Sequence, residues 1–172
     1  MCGDLTLRSS GKGLPAVCVD PPNKSGSKEV RGCRSDDLPT IMEILQNSPE
    51  AASWSREALE ETLEREPDHF LVGLYDQQIA GFIIGRRIRE EGEILNLAVH
   101  PKARRRGVAN ALTKAMLDAF GCAGVSSVYL EVRESNSSAI DLYQRVGFRL
   151  ASRREGYYHA PEEAALLLRL EL

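Results

Sequence analysis

The order of apolar patterns predicts an α/β chain of the mixed (α+β) kind: one sheet, mostly antiparallel, with a central parallel strand pair and helices on both faces. Three observations carry that prediction. Two strand-like runs, 69–75 and 79–87, are separated by Asp76, Gln77 and Gln78, a connection short enough for a hairpin. A third run, 94–100, follows the polar turn 89–92 as a further antiparallel member. An amphipathic helix, 107–120, then stands between that run and the alternating run 125–133. A strand–helix–strand connection of this kind makes a right-handed crossover to a parallel neighbour.

The other elements follow in order. Residues 1–27 are rich in Gly, Pro, Ser and Lys without a sustained period and read as a flexible N-terminal extension, leaving 28–172 as the single domain. A short strand at 28–33 leads to Ser35, Asp36 and Asp37 as helix N-cap material and to the periodic set Leu38, Ile41, Ile44 and Leu45. A second helix runs over 55–65, with Ser55 as its cap, Ala58, Leu59, Thr62 and Leu63 facing inward, and Pro67 beyond its end. Trp54, between the two helices, reads as a core or loop anchor or as a substrate contact; burial of a large aromatic is the commoner use. The helix at 107–120 places Val108, Ala111, Leu112, Ala115, Met116, Ala119 and Phe120 at helical spacing and ends at Gly121. Val128, Leu130 and Val132 share one face of the run that follows; Tyr129, Glu131 and Arg133 share the other. A short helix at 137–146 stops at Gly147, and two last strands, 148–152 and 164–170, flank a loop holding Tyr157, Tyr158 and His159.

Size and charge exclude several classes of function. At 172 residues the chain holds one domain with a real core, and a net charge of −3 does not suit a general nucleic-acid surface. No apolar run approaches the roughly 20 residues needed to span a bilayer, and no secretory core is evident, so a cytoplasmic protein with no membrane partner is expected. Cys2, Cys18, Cys33 and Cys122 have neither C-x-x-C spacing nor a nearby histidine pair and read as incidental thiols, with no metal site. A monomer is expected.

The stretch with chemical character is 93–120. A basic, glycine-containing loop hands a strand to a helix N-terminus, where unpaired amides and the helix dipole favour an anion. Arg104, Arg105 and Arg106 add charge there, which favours a phosphate or pyrophosphate. Gly107 and Ala109 allow close backbone approach. The spacing Arg104-x-x-Gly107-x-Ala109 is neither a Walker loop nor a dinucleotide fingerprint. Ligands of open α/β sheets bind beyond the carboxyl ends of parallel strands. Glu131 lies near such an end and Tyr143 on the helix after it, so the two form either an acid/base pair beside the anion site or a surface ion pair and a packing phenol. Asn136 reads as a local N-cap or, if it faces the cleft, as a ligand contact.

These residues resemble the GNAT family of acetyl-CoA-dependent N-acetyltransferases. The likeness covers about residues 30–170 and is strongest at LNLAVHPKARRRGVANAL and LEVRESNSSAIDLYQRVGF. The second run, with Arg153, Arg154, Tyr157 and Tyr158 in the tail and Trp54 in AASWS, is similar to the branch of ribosomal-protein-alanine N-acetyltransferases (RimI). The resemblance implies acetyl-CoA as cosubstrate and a protein N-terminus as acceptor, the N-terminal alanine of a small-subunit ribosomal protein. It also implies that Leu97, Ala98 and Val99 hold the pantetheine and acetyl group. Arg104, Arg105, Arg106, Gly107, Val108, Ala109 and Asn110 would hold the pyrophosphate, and Asn136 would touch the coenzyme arm. Glu131 would be the general base and Tyr143 the general acid, with Trp54, Tyr157 and Tyr158 framing the acceptor. Departures from the pattern are His100 in place of an acidic residue, Ala109 in place of glycine, and the first 27 residues, which have no counterpart. A GNAT enzyme acting on a small amine or a lysine, and a non-catalytic acetyl-CoA-binding module, are the alternative readings. Nucleic-acid binding by three arginines without an aromatic platform is not expected.

Overall fold

The computed structural model describes residues 26–159 and 161–172. Seven strands form one sheet in the order β1-β2-β3-β4-β5-β7-β6, where β1 is Lys28–Gly32, β2 Phe70–Tyr75, β3 Gln78–Ile88, β4 Glu91–Val99, β5 Ser127–Arg133, β6 Arg149–His159 and β7 Glu162–Glu171. Only β4 and β5 run parallel; every other neighbouring pair is antiparallel. Among the described residues four α-helices, α1 (Leu38–Gln46), α2 (Arg56–Arg65), α3 (Val108–Cys122) and α4 (Ser137–Val146), cover the sheet.

Strand alternation divides the core between the two faces. Leu71, Ile83, Ile94, Val128 and Leu130 turn to the face covered by α3 and α4, where Leu112, Met116, Phe120 and Tyr143 meet them. Phe70, Val72, Phe82, Ile84 and Ala98 turn to the face covered by α1 and α2, against Leu38, Ile41, Ile44 and Leu59. Trp54 is half-buried against this second cluster.

Local chemistry accounts for most boundaries. Ser55 caps α2, its side chain accepting the Ala58 N–H at 3.2 Å. Asn136 does the same for α4 at Ala139, and Gly147 ends that helix in the left-handed region. Asp37 is buried at the start of α1, where Arg31 of β1 grips its carboxylate with contacts of 2.6 and 2.9 Å and the Arg34 N–H adds 2.8 Å. The β2–β3 hairpin turns on Asp76 and Gln77 at φ of 50° and 66°, a primed turn made without glycine.

Several elements differ from the sequence expectation. Gly107 lies outside α3 as its N-cap, at φ 81°, and the helix continues through Gly121 to Cys122. β4 begins at Glu91 rather than 94, because a tight turn at Arg89 and Glu90 replaces the longer one expected. Tyr157, Tyr158 and His159 are not in a loop: β6 runs to His159, and register shifts after Leu150 and Arg154 keep it paired with β7. Of the extension predicted for 1–27, residues 1–25 lie outside the described residues.

Candidate active site

The site begins with a strand fork. β4 and β5 pair only over 91–94 against 127–130, and beyond Ile94 and Leu130 the two strands separate. The cause is a bulge: Ile84 faces Asn96 while Gly85 faces Ile94, so Leu95 is an extra residue on β4 that bends it towards β3. Glu131 is the first residue of β5 past the fork.

The fork frees backbone groups on β4. His100 donates its N–H to the Ala80 carbonyl of β3 at 2.8 Å. By alternation Ala98 and Asn96 also point to β3, and the peptide groups of Leu97 and Val99 point into the fork. The amides of Leu97 and Val99 and the Leu97 carbonyl thus face the fork, the Val99 carbonyl accepts from Arg104 Nε at 3.2 Å, and Ala98 contributes wall.

A cavity of about 420 Å³ lies beside the end of β4. It is lined by Leu97, Ala98, Val99, Arg104, Arg105, Gly107, Val108, Ala109, Asn110 and, from the far side, Asn136, Ser138, Leu142 and Arg145. The N-terminus of α3 opens onto it. The Ala111 N–H closes the first helical bond, onto the Gly107 carbonyl at 3.0 Å, so the amides of Val108, Ala109 and Asn110 have no helical acceptor. No side chain caps them, in contrast to α2 and α4. A Cβ on Gly107 would come within 3.1 Å of the Lys28 ammonium and would strain the left-handed turn. Amides, helix dipole and the guanidinium groups of Arg105 and Arg145 together suit a diphosphate.

The three arginines divide their work. Arg105 lines the cavity. Arg104 lines it too but spends its donors on Val99, Ser48 and Glu50. Arg106 is outside it, with its guanidinium carbon 4.7 Å from the Tyr75 ring centre.

A second cavity of about 330 Å³ adjoins the first, sharing Glu50, Leu97, Asn136 and Ala139. Its lining comes from both sheet faces: Glu50, Ala51, Ala52, Asn96 and Glu131 from the α1–α2 side, Leu130, Val132, Ala139 and Tyr143 from the α3–α4 side. The fork is thus a passage through the sheet, and Glu131 and Tyr143 reach it from opposite faces.

Tyr143 packs edge-on to Phe148 at 5.6 Å between ring centres, and burial pushes its phenol well above the usual tyrosine range. It remains a proton-bearing donor at any working pH. The Glu131 carboxylate is held by Arg154 at 2.5 Å. It also raises the pKa of Tyr157, first by hydrogen bonding, beside which burial and its charge act in the same sense. Tyr158 lies with Arg133 stacked on its ring at 3.9 Å, and burial raises its pKa. Tyr157 and Tyr158 both line the second cavity; Trp54 does not. Asn136 borders both cavities, and because its Oδ1 caps α4, its amide NH₂ is the group left to offer.

Sequence reasoning did not single out Glu50, Asn96 or Arg145. Asn96 is the one with a signal, a polar residue in the middle of an apolar strand; it is buried and donates to the Ala52 carbonyl at 3.0 Å. Among the described residues no cluster of side chains could hold a metal ion, and no helix is long and apolar enough to cross a membrane.

Residues 38–148 match the Acetyltransferase (GNAT) family. The chain belongs to that family. This acetyltransferase is 30% identical over 145 residues to the ribosomal protein bS18-alanine N-acetyltransferase of Escherichia coli (strain K12), a match covering 83% of this chain and 97% of the relative. It is 33% identical over 141 residues to the protein of the same name from Salmonella typhimurium, covering 79% and 92%. Among solved structures, Ard1 from Thermoplasma volcanium aligns with a TM-score of 0.78 at 28% identity, over 84% of this chain and 97% of that one. The GNAT enzyme is therefore an acetyl-CoA-dependent N-acetyltransferase of RimI-like kind, and the forked β4 and uncapped α3 are the parts of its fold that suit acetyl-CoA.

Proposed function

We propose that this N-acetyltransferase acetylates the N-terminal amine of a protein, the N-terminal alanine of a small-subunit ribosomal protein being the leading acceptor. The observation that carries the reading is the passage at the fork, where Glu131 and Tyr143 line one cavity from opposite sheet faces. Acetyl-CoA supplies an activated thioester. Arg105, Arg145 and the amides of Val108, Ala109 and Asn110 hold its diphosphate, and the peptide groups of Leu97 and Val99 align its arm along β4. The acceptor reaches the fork from the α1–α2 face, between 50–52 and the Tyr157–Tyr158 pair. Trp54 then acts from behind that wall, by packing.

The division of protons follows. An amine attacks only when neutral, and an α-amine of pKa about 7.7 to 8.0 is easier to deprotonate than lysine at about 10.4, by about 3.5 kcal/mol. Glu131, fixed by Arg154 at the mouth of the fork, takes that proton directly or through water. Tyr143 donates a hydrogen bond to the departing sulfur. Burial keeps its phenol protonated, so it remains a donor as negative charge develops on that sulfur. The Val99 amide, on the fork side of β4, is the strand N–H assigned to the oxyanion in this reading.

One observation favours a peptide over a small amine: the Escherichia coli and Salmonella typhimurium relatives are named ribosomal protein bS18-alanine N-acetyltransferases. The test is mass spectrometry of ribosomal-protein N-terminal peptides after incubation with enzyme and acetyl-CoA. One added acetyl group at the α-amine, absent when the terminus is blocked, is the expected result. Acetylation of free polyamines or lysine side chains alone would reject the peptide reading.

A further inference from the structure

Arg104 belongs by sequence to the anion loop and lines the coenzyme cavity, but its guanidinium is bonded to the segment between α1 and α2. Nε donates to the Val99 carbonyl at 3.2 Å, at the end of the coenzyme strand. Nη2 reaches the Ser48 hydroxyl at 3.3 Å and the Glu50 carboxylate at 2.5 Å, both in the segment between α1 and α2. That segment is the acceptor wall: Glu50, Ala51 and Ala52 line the cavity at the fork. Ala51 and Trp54 pack it on the core of the α1–α2 face, and its polar ties are few. Ser48 is buried and its carbonyl accepts the Ala51 N–H at 2.9 Å, and Asn96 of β4 holds the Ala52 carbonyl. Both pins therefore come from β4 and the loop that follows it. Glu50 also borders the coenzyme cavity, where a bare carboxylate would repel a diphosphate.

We infer that Arg104 is a positioning residue rather than a phosphate ligand: it latches the α1–α2 segment onto the end of β4, building the acceptor wall, and neutralises Glu50 beside the coenzyme. The inference rests on the acetyl-transfer site described above and does not depend on which amine is the acceptor. The latch makes acceptor affinity, and not the chemical step, the quantity that Arg104 and Glu50 control together.

The test is a double-mutant cycle on the full chain with Arg104→Ala, Glu50→Gln and the double variant. Acetyl-CoA affinity is measured by equilibrium binding, and KM and kcat are measured for a primary amine that the unaltered enzyme acetylates. Glu50→Gln is expected to raise the acceptor KM about fivefold to tenfold at unchanged kcat, with acetyl-CoA bound no more weakly than by the unaltered enzyme, because the bared Arg104 is a cation. Arg104→Ala raises the acceptor KM by the same factor and also weakens acetyl-CoA, because it bares Glu50. In the double variant acetyl-CoA affinity returns to that of the unaltered enzyme while the acceptor KM rises no further. A double variant that still binds acetyl-CoA poorly would make Arg104 a phosphate ligand and overturn the inference, as would a Glu50→Gln enzyme with unchanged acceptor KM. Failure of the peptide reading is seen separately, in the unaltered enzyme's choice of acceptor.

Discussion

The two ends of the β4–β5 pair use the same strands in opposite ways. At the paired end, 91–94 and 127–130 are joined in register, and Phe120 of α3 is fully buried over them. A Cβ on Gly92 would meet the Phe120 ring at 2.9 Å, so strand and helix are in direct contact there. At the forked end, one bulged residue, Leu95, separates the strands, and the space is lined by Asn96, Glu131 and Tyr143. A strand pair that remained in register to 99 and 133 would be a more continuous sheet without that cavity. The paired end stabilises the fork by fixing where it begins.

This contrast is tested most severely by Phe120→Ala. Removing a fully buried ring that also stacks on His69 at 4.9 Å is expected to lower unfolding free energy by about 3–5 kcal/mol. Denaturant titration measures it, and kcat per folded molecule is expected to stay unchanged. A large fall in kcat with little loss of stability would mean that the two ends are not separable.

The mirror-image variants come next. Glu131→Gln and Tyr143→Phe keep size and packing, so melting temperature is expected to hold while kcat falls by about 10²-fold or more. Tyr143→Phe retains the edge-on contact with Phe148 and deletes only the hydroxyl. Unchanged acetylation by that variant would leave the cavity as a binding site but remove the phenol from the chemistry. Arg105→Ala should act more weakly, raising the acetyl-CoA dissociation constant about tenfold, or about 1.4 kcal/mol, with no effect on the acceptor KM. Calorimetric titration distinguishes it from Arg106→Ala, which removes a guanidinium packed on Tyr75 and is expected to leave coenzyme affinity unaltered.

The paired end was readable from sequence and the fork was not, for a physical reason. Hydrophobic period and caps are local, so α2 and α4 were placed to within a residue by Ser55, Asn136 and Gly147. The parallel crossover follows from a helix standing between two strands. The bulge at Leu95 has no local signature, because it is a mismatch in length between β3 and β4 that exists only once they pair. The same holds for the partners of charged groups. Three adjacent arginines look alike in sequence, yet in the fold Arg105 lines the cavity, Arg104 lines it while paired with Glu50, and Arg106 packs on Tyr75. Tyr157 and Tyr158 looked like loop residues because β6 stays paired only through two register shifts. Glu131 and Tyr143 were legible as residues, and their shared cavity depends on the fork.

The smallest expected effect is the dependence of stability on pH, and it separates the fork from the β1 edge. Tyr143 sits at the fork with its folded pKa raised by burial. A raised pKa means the folded state holds the proton more tightly, so its contribution is constant below the unfolded value of about 10 and is lost only as pH rises beyond it. Asp37 sits at the β1 edge, away from the fork, with its folded pKa lowered chiefly by its hydrogen bonds to Arg31, against the opposing effect of burial. A lowered pKa stabilises above the unfolded value of about 3.9 and is lost as pH falls through the folded value. Melting temperature should therefore show no change with pH from either group between about pH 5 and 9, where the contribution of each is constant. Asp37→Asn is expected to lower stability by about 1–3 kcal/mol on that plateau and to remove part of the fall below about pH 4, with kcat unaffected. Tyr143→Phe should leave the acid limb as it is and remove part of the alkaline one. Thermal melts of the three proteins across pH decide it: an acid limb unchanged in Asp37→Asn would mean that the Arg31–Asp37 pair does not set the lower limit of stability.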